Sequence, residues 1–236
     1  NAWKDIDGNI ITETTIYTYT TNITLYAEFV DTPEYNYSIQ YRFEDTSGNF
    51  ILDNSMTQIF TAEDGAFVSG IVLSDVPTGF ELSGILPTGN VTSDGLLTLT
   101  IDYQRISYTV TFVDENSQTI ETQSVKYQLD AMPPTYTVDG YVVSWTISQY
   151  TSITDNVTIH PVLTEIDYVI DYNYMIDTFD DEVTHLGAIT GYSVTESYTL
   201  TEPTREAFEF VGWYDNALYS GDPISQISIG NTGDII

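Results

Sequence analysis

A strand pattern that returns three times along the chain most constrains how it can fold. Each copy opens with Tyr-x-[Ile/Val]-x-[Tyr/Phe], at Tyr37, Tyr108 and Tyr168. Apolar residues at every second position are typical of a half-buried β-strand. Strands that recur in a fixed order are typical of tandem repeats. The sequence therefore predicts a mainly β chain built from small repeats.

A second signature follows inside each copy, where a turn leads into an aromatic residue and further alternation. It reads PTGF at 77–80, VDGY at 138–141 and PTREAFEFVGW at 203–213. An alternating strand then closes the first two copies, at 97–103 and 157–163. Helix formers are scarce, and only short helical turns, near 60–69 and 126–132, compete with the strand interpretation.

These signatures divide the chain into four segments. We expect the C-terminal part of a repeat at 1–34, complete repeats at 35–104 and 105–165, and a repeat lacking its last strand at 166–236. The sequence TGDII at 232–236 stops where NITLY at 22–26 would continue. We expect a window from a longer array, with neighbouring repeats of the same chain as partners; the alternative is that the two ends complete each other between subunits.

The charge of the chain excludes several classes of partner. Five Lys+Arg stand against 35 Asp+Glu, which gives a formal net charge of −30. Five scattered cations cannot form a basic patch, so we expect no nucleic-acid partner. The chain contains no stretch of about 20 apolar residues, so we expect no direct membrane insertion in this segment. With 42% hydrophobic residues and no cysteine, we expect folded cores without disulfides or thiolate metal sites.

The last repeat resembles the Listeria–Bacteroides repeat, also known as the internalin B-repeat. The resemblance rests on FEFVGWYDN at 208–216, GDPI at 221–224 and GNTGDI at 230–235, and on the second half of that motif at 3–8 and 22–29. The repeats at 35–104 and 105–165 are similar to mucin-binding-protein-type repeats of bacterial surface proteins, through YTVTFVDEN at 108–116.

These resemblances imply tandem β-grasp-like (ubiquitin-like) repeat domains, arranged as an elongated rod on a secreted or surface-anchored bacterial protein. The expected location is extracellular, on the cell surface, with a wall or membrane anchor outside this segment. The linkers at 104–107 and 164–167 are very short. Because neither linker is a flexible Gly/Ser coil, we expect a stiff array.

Few residues are candidates for metal binding or catalysis. The acidic residues Asp177, Asp180, Asp181 and Glu182 are weak candidates for Ca²⁺ ligands, because a solvated loop is the better explanation of this cluster. Asp5, Asp7 and Asn9 resemble the start of an EF-hand loop, but position 12 falls on Ile16, so a β-hairpin turn is the better interpretation. We expect no catalytic role for the two histidines, His160 and His185, and no resident cofactor.

The leading hypothesis is a non-catalytic cell-surface protein, a stiff stalk that forms part of an adhesin or filament. Two alternatives remain open. In the first, the repeats bind host glycoprotein or glycan, through exposed tyrosine pairs such as Tyr17/Tyr19 or Tyr172/Tyr174. In the second, the chain is a spacer in a larger secreted enzyme.

Overall fold

A computed structural model describes residues 2–5, 7–12, 14–16, 20, 22, 24–174 and 183–236. The chain divides into two compact units, 1–106 and 107–236. In the described residues the fold is mainly β, and helix is confined to a 3-10 turn, Asn54–Met56, and a short α-helix. The predicted mainly β class is therefore confirmed. In these same residues, no helix has the length and apolar character needed to span a bilayer.

The N-terminal segment forms a small antiparallel sheet in which β1 (Ala2–Lys4) is central, flanked by β2 (Ile10–Ile11) and β3 (Tyr26–Glu28). Trp3 pairs with Ile11 on one side and with Ala27 on the other. β3 is an edge strand of this sheet.

The first complete repeat is a five-stranded sheet with an additional hairpin. Its strands are β4 (Glu34–Glu44), β5 (Phe50–Leu52), β6 (Gln58–Glu63), β7 (Phe67–Ser69), β8 (Phe80–Leu82), β9 (Thr88–Asn90) and β10 (Thr98–Arg105). β5 and β6 both pair with β4, β10 lies between β4 and β8, and β7 pairs with β9. Region 60–69, where a helical turn competes in the sequence, belongs to β6 and β7 and the turn between them.

The second repeat contains β11 (Ser107–Val113), β12 (Thr119–Lys126), β13 (Tyr141–Ser144), α1 (Ile147–Tyr150), β14 (Val157–Ile159) and β15 (Val162–Glu165). β11 lies between β12 and β14, and β13 pairs with β15. The third repeat contains the short strands β16 (Tyr168–Val169), β17 (Val183–Thr184), β18 (Gly191–Tyr192), β19 (Tyr198–Thr199), β20 (Thr204–Arg205) and β21 (Gln226–Ile227). They pair as β16–β18, β17–β20 and β19–β21.

One pairing is common to all three repeats: the opening strand lies parallel to the closing segment. In the first repeat β10 runs beside β4 over six residue pairs, from Thr98↔Ser38 to Tyr103↔Phe43. In the second, β14 runs beside β11 over three pairs, from Val110↔Val157 to Phe112↔Ile159. In the third, Ile170 and Ile235 form a single parallel bridge.

Each repeat has its own core, centred on this parallel pair. The first is built on Ile39, Tyr41, Leu99, Ile101 and Tyr103. The others are centred on Val110, Phe112, Val125, Ala131, Ile153 and Ile159, and on Ile170, Tyr192 and Ile227. In the first repeat, alternate residues of the opening and closing strands supply all of these side chains, because successive side chains of a strand point to opposite faces. In the other two repeats, neighbouring strands and loops contribute as well, through Val125, Ala131, Ile153, Tyr192 and Ile227.

In the described residues a five-residue loop occurs four times, at 5–9, 45–49, 114–118 and 216–220. Its first residue is Asp or Asn, and one side-chain oxygen accepts hydrogen bonds from the N–H groups of the third and fifth residues. The fourth residue has positive φ and donates its N–H to the first carbonyl. Glycine takes that position in the first two copies, because it adopts positive φ without steric cost.

Candidate functional site

An aromatic cluster in the third repeat gathers residues from across 168–236. Tyr172 and Tyr174 lie at the end of the opening segment, His185 follows β17, and Trp213 belongs to the second signature. The Trp213 ring centroid lies 4.7 Å from that of Tyr172, 5.9 Å from that of Tyr174 and 5.3 Å from that of His185. The structure thus brings the predicted pair Tyr172/Tyr174 together with His185 and the tryptophan of the motif.

Hydrogen bonds fix the orientation of the cluster. His185 Nε2 lies 2.9 Å from the carbonyl oxygen of Thr201, and His185 Nδ1 lies 3.0 Å from the hydroxyl of Tyr174. A carbonyl can only accept, so the neutral ring carries its proton on Nε2 and accepts the Tyr174 hydroxyl at Nδ1. Trp213 Nε1 donates to the same Thr201 carbonyl at 3.1 Å. Both histidine nitrogens therefore serve to position rings.

Tyr172 differs from its neighbour. The sequence interpretation treats both tyrosines as exposed, but Tyr172 is half-buried and its hydroxyl is enclosed without a hydrogen-bond partner in the described residues. Burial, and then the neighbouring Tyr174, raises the pKa of Tyr172; burial likewise raises the pKa of Tyr174. Trp213, which lies much further along the chain, covers the Tyr172 ring, and this contact explains the difference.

A cleft of about 680 Å³ opens beside the cluster in the described residues. Six aromatic side chains contribute to its walls, and Arg205, Asp215 and Asn216 add polar groups. The Arg205 guanidinium lies over the Phe208 ring at 4.2 Å, a cation–π distance. Tyr219, which is 55% exposed, meets Tyr214 edge to face. Exposed rings beside hydrogen-bonding groups can stack on the apolar face of a sugar or pack on an apolar strand.

The weak calcium candidates Asp177, Asp180, Asp181 and Glu182 lie outside the described residues, as do Tyr17 and Tyr19. In the described part of the chain, no group of three His, Cys, Asp or Glu side chains is arranged to hold a metal ion. At 5–9 the structure has the expected hairpin, closed by β1 and β2. The Asp5 carboxylate there accepts hydrogen bonds from Asp7, from the Asn9 backbone and from the Asn9 side chain.

The junction between the second and third repeats is a further feature of the chain. Gly140, with φ of 82°, occupies the turn before β13, and its carbonyl accepts the N–H of Ile166 at 2.9 Å. Val194 of the third repeat packs against it so closely that a Cβ built on Gly140 would lie 2.1 Å from Val194 Cγ1. Thr195 Oγ1 also donates to Glu165 at 3.0 Å. Glycine is required here by backbone conformation and by close approach.

The same turn occurs in each repeat, which single-sequence patterns indicate only in part. Phe80 N–H donates to Pro77, Tyr141 to Val138 and Phe208 to Arg205, each three residues back. The residue before each aromatic has positive φ: Gly79, Gly140 and Ala207. The linker residue Ile106 donates to Gly79 as Ile166 does to Gly140. The glycine and the aromatic are visible in the sequence, whereas the contact between Gly140 and Val194 joins positions in different repeats, which no local pattern relates.

Comparison with known proteins agrees with this description for the last part of the chain. No curated protein matches the sequence. The two central repeats are not matched to mucin-binding-protein-type repeats, so that resemblance stays a prediction. Residues 168–236, which contain the aromatic cluster and the cleft, match the family model of the Listeria-Bacteroides repeat domain, a repeat typical of bacterial surface proteins.

Proposed function

We propose that this chain is a non-catalytic, extracellular component of a bacterial cell-surface protein, in which β-grasp-like repeats form a stiff stalk of an adhesin or filament. The family match at 168–236 supports the surface location. The observation that carries the stalk role is the junction, where Val194 of one repeat packs on Gly140 of the repeat before it. A contact that excludes even one added methyl group restricts bending between the two repeats.

The hydrogen bonds of the junction support the same role. Tyr141 pairs with Glu165 at the end of β13–β15, and Ile166 N–H donates to Gly140 at the next position. The predicted linker 164–167 is therefore largely part of the sheet of the second repeat, and only Ile166 and Asp167 separate β15 from β16. Two residues, one of them bonded to the turn, leave little freedom for hinge motion.

The variant Gly140→Ala tests the stiff junction, and Gly84→Ala is its matched control. Both positions have φ near 80°, but a Cβ at Gly84 meets nothing within 4 Å. Each alanine costs about 1–2 kcal/mol for the left-handed conformation. Only Gly140→Ala must also move Val194, so we expect a larger loss of stability and a broader distance distribution in small-angle X-ray scattering of the whole chain. Adding Val194→Ala to the Gly140→Ala variant removes the two Cγ atoms, so it should partly restore the stability and the narrower distance distribution.

Equal effects of the two alanines on scattering would contradict the stiff junction. A wild-type scattering curve typical of freely hinged domains would contradict it as well.

A second candidate function, glycan recognition, is favoured by the exposed rings of the cleft. Tyr219 presents an exposed ring, and the nearby carboxylate of Asp215, which accepts one hydrogen bond from the Asn216 side chain, can accept further hydrogen bonds from sugar hydroxyls. A glycan array on the whole chain would identify a ligand. Tyr219→Ala should then weaken its binding at least several-fold, whereas Tyr26→Ala, which removes an equally exposed tyrosine (56%) from the N-terminal segment, should not. An array without hits would exclude this function.

A further inference from the structure

The parallel pairing of opening and closing strands determines how a complete repeat responds to tension along the chain. In the first repeat the chain enters β4 at Glu34 and leaves β10 at Arg105. Because the two strands are parallel, these two points lie at opposite ends of the ladder. Tension therefore slides one strand along the other and loads all the residue pairs together. With an antiparallel closing strand, entry and exit would lie at the same end, and the pairs would separate one at a time.

Side chains join the same two strands of the first repeat. Ser38 and Thr98, the first pair of the parallel register, hydrogen-bond through their hydroxyls at 2.9 Å. Arg42 and Asp102, near the other end of the ladder, form an ion pair with two hydrogen bonds of 2.7 and 2.8 Å. Charged hydrogen bonds of this two-pronged kind are stronger than neutral ones. The first repeat therefore resists sliding through side chains as well as through its backbone.

The second repeat has the same geometry with a shorter parallel ladder. Its chain enters β11 at Ser107 and leaves β15 at Glu165. The ladder between β11 and β14 has three residue pairs, against six between β4 and β10. It ends at Ile159, because Pro161 has no N–H to donate to β11, and β15 pairs with β13 instead. Fewer pairs therefore share the load in the second repeat.

We propose that these two repeats bear tension along the chain, that the parallel strands of each form a shear clamp, and that the second repeat opens at a lower force than the first. Opening releases about 200 Å of extended chain from residues 107–165 and about 250 Å from residues 34–105. The chain thus lengthens in steps under load. This role goes beyond the stiff stalk, which concerns bending: a flexible junction still transmits tension, and a stiff junction can connect repeats that open easily.

The direction of pulling tests the shear clamp in the whole chain, because the protein has no cysteine of its own to react with force handles. Handles on Pro33→Cys and Ser107→Cys, both exposed positions, shear the ladder of the first repeat in optical tweezers. Handles on Pro33→Cys and Leu96→Cys instead pull at the starts of both strands, where a Cβ on Gly95 would lie 3.7 Å from the Asn36 carbonyl.

We expect a several-fold higher unfolding force in the first geometry, in which the residue pairs break together, than in the second, in which they separate in turn. Forced unfolding follows the unfolding rate, so the comparison measures the barrier in each direction for the same folded state. Equal forces in the two geometries would overturn the proposal.

A third pair of handles tests the order of opening. Ser107→Cys and Asp167→Cys, which is also exposed, load the second repeat alone. At the same loading rate we expect a lower mean unfolding force than for the first repeat, and the shorter of the two steps. A second repeat that withstands as much force as the first, or more, would overturn the proposed order.

Removing one side-chain contact tests how the load is shared. Asp102→Ala removes the ion pair with Arg42, which lies far along the ladder from the handles at Pro33 and Leu96. We expect a lower force in shear and an unchanged force at the start of separation from the Pro33 end. Asp64→Ala, which removes a carboxylate from the turn between β6 and β7, is the control and should change neither. An equal fall in shear force for both variants would contradict the clamp.

Discussion

Single carboxylates at loop starts hold the turns of this chain together. Asp45 accepts the backbone N–H groups of Ser47 and Asn49, each at 2.8 Å. The hydrogen bond from the Asn49 backbone is the main reason that the pKa of Asp45 lies below its ordinary value near 3.8, and the bonds from Ser47 and the Asn49 side chain add to it. Hydrogen bonds from Ser55 and from Thr92 likewise lower the pKa values of Asp53 and Asp94.

These lowered pKa values determine how the stability of the fold changes with pH. A carboxyl whose folded pKa lies below its unfolded pKa contributes stability above the unfolded value, and the contribution disappears as the pH falls through the folded pKa. We therefore expect the melting temperature to change little between pH 7 and 5 and to fall below about pH 4, the ordinary range of an aspartate. Thermal unfolding across this pH range, followed by circular dichroism, checks the expectation.

The variant Asp45→Asn separates the contribution of the hydrogen bonds to stability from the effect of protonating the carboxylate. The amide oxygen of asparagine can accept the same two N–H groups, as Asn216 does in the loop at 216–220. This variant should keep most wild-type stability at pH 7 and lose less of it below pH 4. Asp45→Ala should lose stability at pH 7 already. A decrease below pH 4 that is identical in wild type and Asp45→Asn would show that other groups dominate the acid transition.

The sequence indicates where these loops lie, but it does not predict the burial and contacts of every individual residue. Asp-x-x-Gly-Asn at 45–49 is readable as a turn, and a hairpin at 5–9 is preferable to an EF-hand because Ile16 cannot coordinate Ca²⁺. The half-buried state of Tyr172 is not predictable, because Trp213 and His185 cover it from distant positions. Period-two alternation identifies the strand, whereas burial of its last residues depends on tertiary packing.

At the scale of strands, the parallel opening and closing pair is the common framework of the repeats. Alternation predicts both members well: the predicted stretches 37–43 and 97–103 lie within or beside β4 and β10. Their parallel pairing is not predictable from either stretch, because the partners are far apart in the chain and alternation is the same for both directions. In the third repeat alternation continues through Tyr172 and Tyr174, but β16 ends at Val169.

Arg42 and Asp102 join the two strands of this framework on the solvent side. They are register partners in the β4–β10 pair, and Arg42 Nε and Nη2 donate to the two oxygens of Asp102 at 2.7 and 2.8 Å. The hydrogen bond to Asp102 raises the pKa of Arg42. Because the two side chains are 41% and 25% exposed, we expect a coupling of about 0.5–1 kcal/mol, at the upper end for exposed pairs.

A double-mutant cycle of Arg42→Ala and Asp102→Ala, measured by urea unfolding, checks this value. The coupling should fall when the salt concentration is raised, because solvent screens a partly exposed pair. A cycle on Arg42 and Glu63 is the control, because Glu63 pairs with Glu34 at the other end of β4. At the usual rise of a strand, that register places it roughly 25 Å from Arg42. A coupling no larger than the control would show that backbone pairing alone holds the strands.

For the whole molecule, the few cationic side chains share one structural feature, their location in strands. The five Lys and Arg residues all lie in strands: Lys4 in β1, Arg42 in β4, Arg105 in β10, Lys126 in β12 and Arg205 in β20. Arg105 is nearly buried, with its Nε donating to the carbonyl of Glu44. The net charge of −30 therefore arises from acidic residues spread over the repeats, and it favours solubility and mutual repulsion of chains.

This placement predicts the order in which trypsin cuts the chain. Trypsin needs an extended, accessible segment after Lys or Arg, so cleavage within a strand requires local unfolding. Lys4 and Arg205 lie in the short strands β1 and β20, whereas Arg42 and Arg105 lie in the long strands β4 and β10. We expect slow digestion of the native chain, with first cuts after Lys4 and Arg205 and last cuts after Arg42 and Arg105, as followed by intact mass. In urea all five sites should be cut together. Early cleavage after Arg42 or Arg105 in the native chain would mean that the first repeat opens more readily than its long parallel ladder implies.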